Sequence, residues 1–211
     1  MATVSSQPER LVILRGISWQ TYNRIVAEAG EKSGTRFTYD EGVFEIMVLS
    51  SRHEEPNRTL ALLVEVLAEE MNIDLRRFGS TTFRRQDLQK GFEADSCFYI
   101  QNARAVQGKD EVDLATDPPP DLIIEVDITS ESLDRFPIFA AVGVPELWHS
   151  DGDSVALLSL EGHTYRNTFH SLAFPSLTDE IATRFLAESR QLPSTAWLRR
   201  VREWARSTKE A

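Results

Sequence analysis

The chain has 211 residues, with 23 Lys and Arg against 33 Asp and Glu, a formal charge of −10, 41% apolar and 27% charged residues. This suits one soluble domain able to bury its own core, and excludes a collagen-like or low-complexity chain. The acidic balance opposes nonspecific attraction to polyphosphates, although a local basic surface can sit inside an acidic sum.

A single cysteine, Cys97, excludes an internal disulfide and suits a reducing compartment. Met1 to Arg10 lacks a signal-peptide pattern, and no apolar run reaches membrane-spanning length, so the expectation is a cytoplasmic protein without a membrane partner. Basic residues gather at Arg76, Arg77, Arg84, Arg85 and Lys90, and again at Arg199, Arg200, Arg202, Arg206 and Lys209. Both groups read as solvated faces, and the second also suits a helix C-terminus.

In chain order, Ser18 caps an amphipathic helix carrying Trp19, Tyr22, Ile25, Val26 and Ala29, which Gly30 stops. Two β-prone runs, 36–39 and 43–49, flank the turn signal Asp40-Glu41-Gly42 and predict a hairpin. On its second strand Phe44, Ile46 and Val48 share one face, which leaves Glu45 facing either solvent or a site. A long helix then opens near Ser50 and runs to about Met71 over Leu60, Leu63, Val64 and Leu67. Ser51 and Glu54 have capping-box spacing, and His53 in the first turn has solvent exposure as its ordinary reading.

Strands are expected at 75–78, 80–85 and 92–100, with 86–91 as a polar connection and 101–120 as a surface excursion. An apolar run at 122–128 follows, then a helix over 132–142 that Pro137 either kinks or delays to Phe136. Leu147-Trp148-His149 begins a strand, 155–160 and 164–169 form a meander, and 178–189 and 194–206 are helical, with Trp197 and Trp204 packing on the domain. This order describes an α/β layer with a mixed central sheet.

The chemistry concentrates after Pro118-Pro119-Pro120, where Asp121, Glu125 and Asp127 interrupt an otherwise apolar strand. Alternation puts Ile123, Glu125 and Asp127 on one side and Leu122, Ile124 and Val126 on the other. Buried carboxylates need a cation or donors to offset desolvation. An edge strand with one wet face fits the alternation equally well. If the strand bearing Glu93 and Asp95 is a neighbour, Asp95, Glu125 and Asp127 can converge on Mg²⁺ or Mn²⁺ and serve phosphoryl hydrolysis. A glycosidase carboxylate pair is the other chemistry, but no aromatic sugar platform accompanies it.

The blocks Tyr39 to Met47, Ser51-Arg52-His53-Glu54, Glu93 to Ile100, Pro119 to Thr129, Leu133 to Ala140 and Gly143 to Trp148, in that order, are specific in combination. Over roughly residues 36 to 160 the chain resembles the Uma-type restriction endonuclease family, common in bacteria and part of the PD-(D/E)XK nuclease superfamily. The resemblance implies a single domain, 1–211, with a restriction endonuclease-like core at 36–160: a central mixed β-sheet flanked by helices, an added β-meander and a C-terminal helical extension at 178–206.

It also implies a metal-dependent endonuclease that hydrolyses DNA. Asp95 matches the aspartate of the PD element and Glu125 the acidic residue of the (D/E)XK element. These two, with the Val126 main-chain carbonyl, would hold Mg²⁺ or Mn²⁺. Ala94 replaces the proline. Asp127 stands at the lysine place, where it can add a metal ligand or stand just outside one, and Arg135 matches a lysine that related chains take from the following helix. Glu45, His53, Glu54 and Glu93 are candidate site-lining residues, whereas His149 and His163 read as structural. The missing lysine and the acidic charge support the rival reading, a catalytically inactive module that binds nucleic acid or a protein partner. A homodimer would suit double-strand cleavage, but no residue demonstrates one.

Overall fold

The computed structural model describes residues 10–30, 35–48, 51–128 and 133–208, with Ser51 and Arg52 described in backbone only. Thr129, Ser130, Lys209 and the Ser51 side chain of the capping pair therefore lie outside the described residues.

The first layer is built on α1 (Trp19–Ala29). Ser18 caps it by accepting the Thr21 N–H. β1 (Arg10–Arg15), β2 (Thr35–Asp40) and β3 (Val43–Val48) form its sheet, and Glu41 and Gly42, at φ 45° and 94°, give the hairpin turn the positive φ pair that matches strand twist. β1 has no sequence-based counterpart: Leu11 to Leu14 is a continuous apolar run without alternation, and the strand is mostly exposed at the sheet edge. The long helix α2 (Ser51–Met71) follows, with Leu60, Leu63, Val64 and Leu67 fully buried as their spacing predicts.

The next strands are shorter and more broken than expected. β4 (Arg76–Arg77) and β5 (Thr82–Arg85) precede β6 (Lys90–Glu93) and β7 (Ser96–Tyr99). The predicted polar connection thus ends inside β6, and the predicted strand 92–100 is divided at Ala94-Asp95, with β6 in one sheet and β7 in the other. Every residue from Gly91 to Ile100 is buried, so no alternation marks the break.

β8 (Leu122–Val126), α3 (Phe136–Val142) and β9 (Glu146–Ser150) make a parallel crossover unit. The helix begins at Phe136, leaving Pro137 in its first turn, where a missing N–H costs nothing. β10 (Val155–Glu161), β11 (Thr164–Asn167), α4 (Asp179–Ser189) and α5 (Ser194–Ser207) complete the chain.

Two sheets result, in strand orders β1-β3-β2-β6-β5 and β11-β10-β9-β8-β7-β4. The second is mixed through its one parallel pair, β8 with β9. Its first face, with Phe98, Leu122, Ile124 and Trp148, packs under α2, α4 and α5. Residues 178–206 therefore contribute to the main core, where Trp197 is buried and donates to the Phe185 carbonyl at 2.8 Å, while Trp204 stands edge-on to Phe185. The opposite face, with Cys97, Ile123 and Leu147, packs against α3 and against Phe83 and Phe92 of the first sheet.

Asp121 anchors a loop: it accepts the N–H groups of Ile100 and Asn102 at 2.6 and 2.9 Å, and the Asn102 side-chain amide. Among the described residues, no helix is long and apolar enough to cross a membrane.

Tyr22, fully buried among Trp19, Tyr39 and Phe44, lies against Gly91 of β6. A Cβ at Gly91 would fall 2.6 Å from Tyr22 Cζ, and the surrounding rings leave the tyrosine no retreat. Gly91→Ala should therefore cost about 1–3 kcal/mol. Thermal unfolding checks this, with Tm falling by about 2–4 °C per kcal/mol in a chain of this size.

Candidate active site

Asp95 occupies the step between β6 and β7, where the chain leaves one sheet for the other. Its Oδ2 accepts the Val126 N–H at 2.7 Å and lies 3.1 Å from His53 Nε2. Its Oδ1 pairs with Arg36 of β2. The Asn57 side-chain amide of α2 donates to the Asp95 carbonyl at 3.2 Å, and Arg36 Nη2 lies 3.5 Å from the same oxygen. Two sheets and a helix thereby converge on one buried carboxylate.

Glu125 follows from the register. Ser96 opposes Ile124 and Cys97 opposes Ile123, so Asp95 continues that line to face Glu125. Opposed Cβ atoms in such a ladder stand roughly 4.5–5.5 Å apart. The two strands are neighbours, as the shared-metal reading requires. Arg135, immediately before α3, extends one guanidinium between two carboxylates, with Nη1 3.0 Å from Glu125 Oε2 and Nη2 3.0 Å from Asp127 Oδ1. On the other side of Asp127, His149 Nε2 of β9 lies 3.4 Å from Oδ2. Glu45 is buried and accepts the Leu133 N–H at 2.5 Å, so it faces the site rather than solvent and ties β3 to the segment entering α3.

The sequence-predicted residues divide accordingly. Asp95, Glu125, Arg135, Glu45 and His53 are buried together, and Asp127, with 31% of its side chain exposed, stands at the edge of the same assembly. His53 is 2% exposed, a correction to the solvent-facing reading of a first-turn histidine, because α2 points its N-terminus at Asp95. Glu93 lies to one side, accepting from Thr82 Oγ1 at 2.6 Å, and Glu54 sits at the rim of a cleft, bonded to Arg58. His149 is likewise corrected from structural to site-contacting, whereas His163 lies exposed in the β10–β11 turn.

Arg36 and Asn57 belong to the site without any sequence signal: one is an ordinary strand arginine and the other a helix-face amide. Of the basic residues singled out earlier, Arg84 lines the cleft beside Asp95, and most of the others that are described are paired within the chain: Arg77 with Glu65, Arg85 with Asp87, Lys90 with Asp40, Arg200 with Glu188, and Arg202 and Arg206 with Glu70.

The charges do not balance. Glu45, Asp95, Glu125 and Asp127 supply four formal negative charges against two from Arg36 and Arg135, leaving two uncompensated by arginine. The carboxyls register this excess. Burial pushes Glu125 up to about 7 despite Arg135 and Arg36, and burial likewise raises Glu45 and Glu93. Asp127 goes the other way: burial favours its neutral form, but the His149 hydrogen bond and Arg135 outweigh it and lower its pKa.

A divalent cation fits this deficit in charge and in donor type. Glu125 Oε1 is buried without a hydrogen-bond partner, an oxygen oriented for a ligand the chain does not provide. Among the described residues, no three His, Cys, Asp or Glu side chains form a ready-made metal cluster, so the donors that fit are the Asp95 and Glu125 pair rather than a carboxylate triad.

Because Glu125 rises from its ordinary 4.5 to about 7, the metal-free folded protein holds a proton in that window that the unfolded chain has released. Folding stability should therefore fall as pH rises from about 4.5 to about 7, with a contribution from Glu125 of up to about 1.4 kcal/mol per pH unit. Chemical denaturation across this range in the presence of EDTA measures the slope. Glu125→Gln should reduce it, leaving the smaller contributions of Glu45 and Glu93, whose shifts have the same sign.

Comparison with known proteins agrees with this architecture. A crystal structure described as "a putative nuclease belonging to DUF820 from Anabaena variabilis ATCC 29413" superposes with a TM-score of 0.51 at 14% identity, covering 81% of this chain and 99% of that one. At that identity the likeness establishes the fold, which is restriction endonuclease-like. A search of curated proteins returns no match. The model of one family matches residues 19–191, from the first residue of α1 past the end of α4, and the chain belongs to that family, described as "Uma2: Putative restriction endonuclease".

Proposed function

We propose that this protein is a metal-dependent endonuclease that hydrolyses DNA phosphodiester bonds. The observation carrying this reading is the meeting of two buried carboxylates, Asp95 one residue before β7 and Glu125 on the antiparallel neighbour β8, where four acidic side chains stand against two arginines. Asp95, Glu125 and the Val126 main-chain carbonyl would hold Mg²⁺ or Mn²⁺. Such an ion, when bound, supplies Lewis-acid stabilisation to a phosphoryl oxygen and makes water acidic enough to attack in line.

The protein's own groups prepare that site. The Val126 N–H and His53 fix the Asp95 carboxylate, and Arg135 fixes Glu125. Asp127, engaged by Arg135 and His149, takes the place just outside the ligand pair. Arg135 provides the positive charge that a lysine supplies in related nucleases, but as an arginine it keeps its protons and takes none from water. Family membership and fold support the reading, because both lead to nucleases.

The second reading, a catalytically inactive module binding nucleic acid or a protein partner, draws on the cleft of about 1420 Å³ beside Asp95. Its lining includes Arg36, Arg58 and Arg84, but also Glu54, Glu65, Glu93, Asp95, Asp110, Glu111 and Asp113, an acidic surface for a polyanion to enter.

Purified protein incubated with supercoiled and linear DNA separates the two. The nuclease reading expects cleavage with Mg²⁺ or Mn²⁺, loss of cleavage with EDTA, and a fall of at least about 100-fold in Asp95→Ala and Glu125→Ala, the scale on which losing one transition-state-stabilising group is felt. Cleavage unchanged in both variants would sink the site assignment. DNA binding without cleavage under any metal would favour the inactive module.

A further inference from the structure

Asp95 has two carboxylate oxygens in different circumstances. Oδ2 is taken by the Val126 N–H and His53, contacts that hold the side chain in place. Among the described residues, Oδ1 pairs with Arg36 Nη1 alone. The oxygen left for a metal is therefore the one against which Arg36 rests. On β8, Glu125 Oε1 is buried without a hydrogen-bond partner among the described residues. A divalent cation held by Asp95 Oδ1 would meet the guanidinium of Arg36 there.

The two site arginines differ in what surrounds them. Arg135 is enclosed, with 3% of its side chain exposed, and spans two carboxylates, so its departure would take the ion-pair partner from buried Glu125 and one partner from Asp127. Arg36 lines the large cleft, as Asp95 does, so a path leads from the pair into open space. Glu93 and Glu54 line the same cleft and attract the guanidinium electrostatically, which gives it an acidic surface to move toward.

We propose that Arg36 is an internal counter-ion that occupies the cation position at Asp95 in the metal-free protein and swings into the cleft when a divalent ion binds. The inference rests on the metal-dependent reading above and assigns Arg36 as a positioning residue that sets metal affinity. In the metal-free state it supplies the positive charge that Asp95 Oδ1 would otherwise lack in a buried place. Its departure is the internal cost of loading the site, so the wild-type protein binds divalent ions more weakly than its carboxylates alone would.

Calorimetric titration with Mn²⁺ alone, without DNA, tests this in wild type, Arg36→Gln, Asp95→Asn and the Arg36→Gln/Asp95→Asn double variant. Arg36→Gln should bind Mn²⁺ at least about 10-fold more tightly than wild type, a change of about 1.4 kcal/mol. It should also show a lower metal-free Tm and a larger rise in Tm on adding Mn²⁺. Asp95→Asn should abolish the tight site in both backgrounds.

Mn²⁺ binding in Arg36→Gln but not in wild type would support the competition in its strongest form. Equal or weaker affinity in Arg36→Gln, with wild type binding, overturns the role of Arg36 and leaves the metal site standing. No binding in wild type or in Arg36→Gln overturns the metal reading and this inference together. If Arg36→Gln does not fold, Arg36→Lys decides by the same criterion, because it keeps the charge but offers a single point of contact and should bind Mn²⁺ a few-fold more tightly than wild type.

Discussion

The hydrogen bond from the Val126 N–H to Asp95 Oδ2 is the contact on which the site depends. β7 and β8 are already paired in a ladder, but that ladder ends at Ser96 and Ile124. Beyond it the chain turns toward the first sheet, and only a side chain can carry the pairing one residue further. Asp95 does so with one oxygen while its backbone carbonyl receives Asn57 from α2 and its other oxygen receives Arg36 from β2. A carboxylate at this joint thus performs structural work in addition to the metal binding proposed for it. Breaking the joint would loosen the meeting of both sheets and α2.

The second organising fact is an excess of negative charge in a dry place. Proteins avoid isolated buried carboxylates because desolvation is several kcal/mol per ion. Here Glu45, Asp95 and Glu125 are buried and Asp127 partly so around two arginines, and burial raises Glu125 to about 7 and raises Glu45 as well. Arg135 reaches these carboxylates from the start of α3 and brings a charge that does not titrate.

Much of this was legible in the sequence, for identifiable reasons. The face-sharing of Glu125 with Asp127 follows from strand alternation, and the cap at Ser18 and the turn at Gly42 have local chemistry that tertiary context did not override. Three things were not legible. The break at Asp95 lies in ten consecutive buried residues, where both faces are covered and alternation carries no information. β1 lies exposed at a sheet edge, and its apolar run has no period. Arg36, Asn57 and His149 enter the site only through the packing of elements distant in the chain, which a local pattern does not contain. His53 was visible but its burial was not, because helix direction is set by what the helix packs on rather than by its own first turn.

The division of the acidic segment between sheets also has a mechanical side. β6 and β7 are joined by two residues, Ala94 and Asp95, so the sheets share a pivot with almost no slack. Arg36 and Glu93 ride on one side of this pivot, and Glu125, Asp127 and His149 on the other. Phe83 and Phe92 of the first sheet also pack against Cys97 and Ile123 of the second, so the short step is braced from beside. The meeting of the two halves of the charge assembly is thereby set by the same packing that joins the sheets.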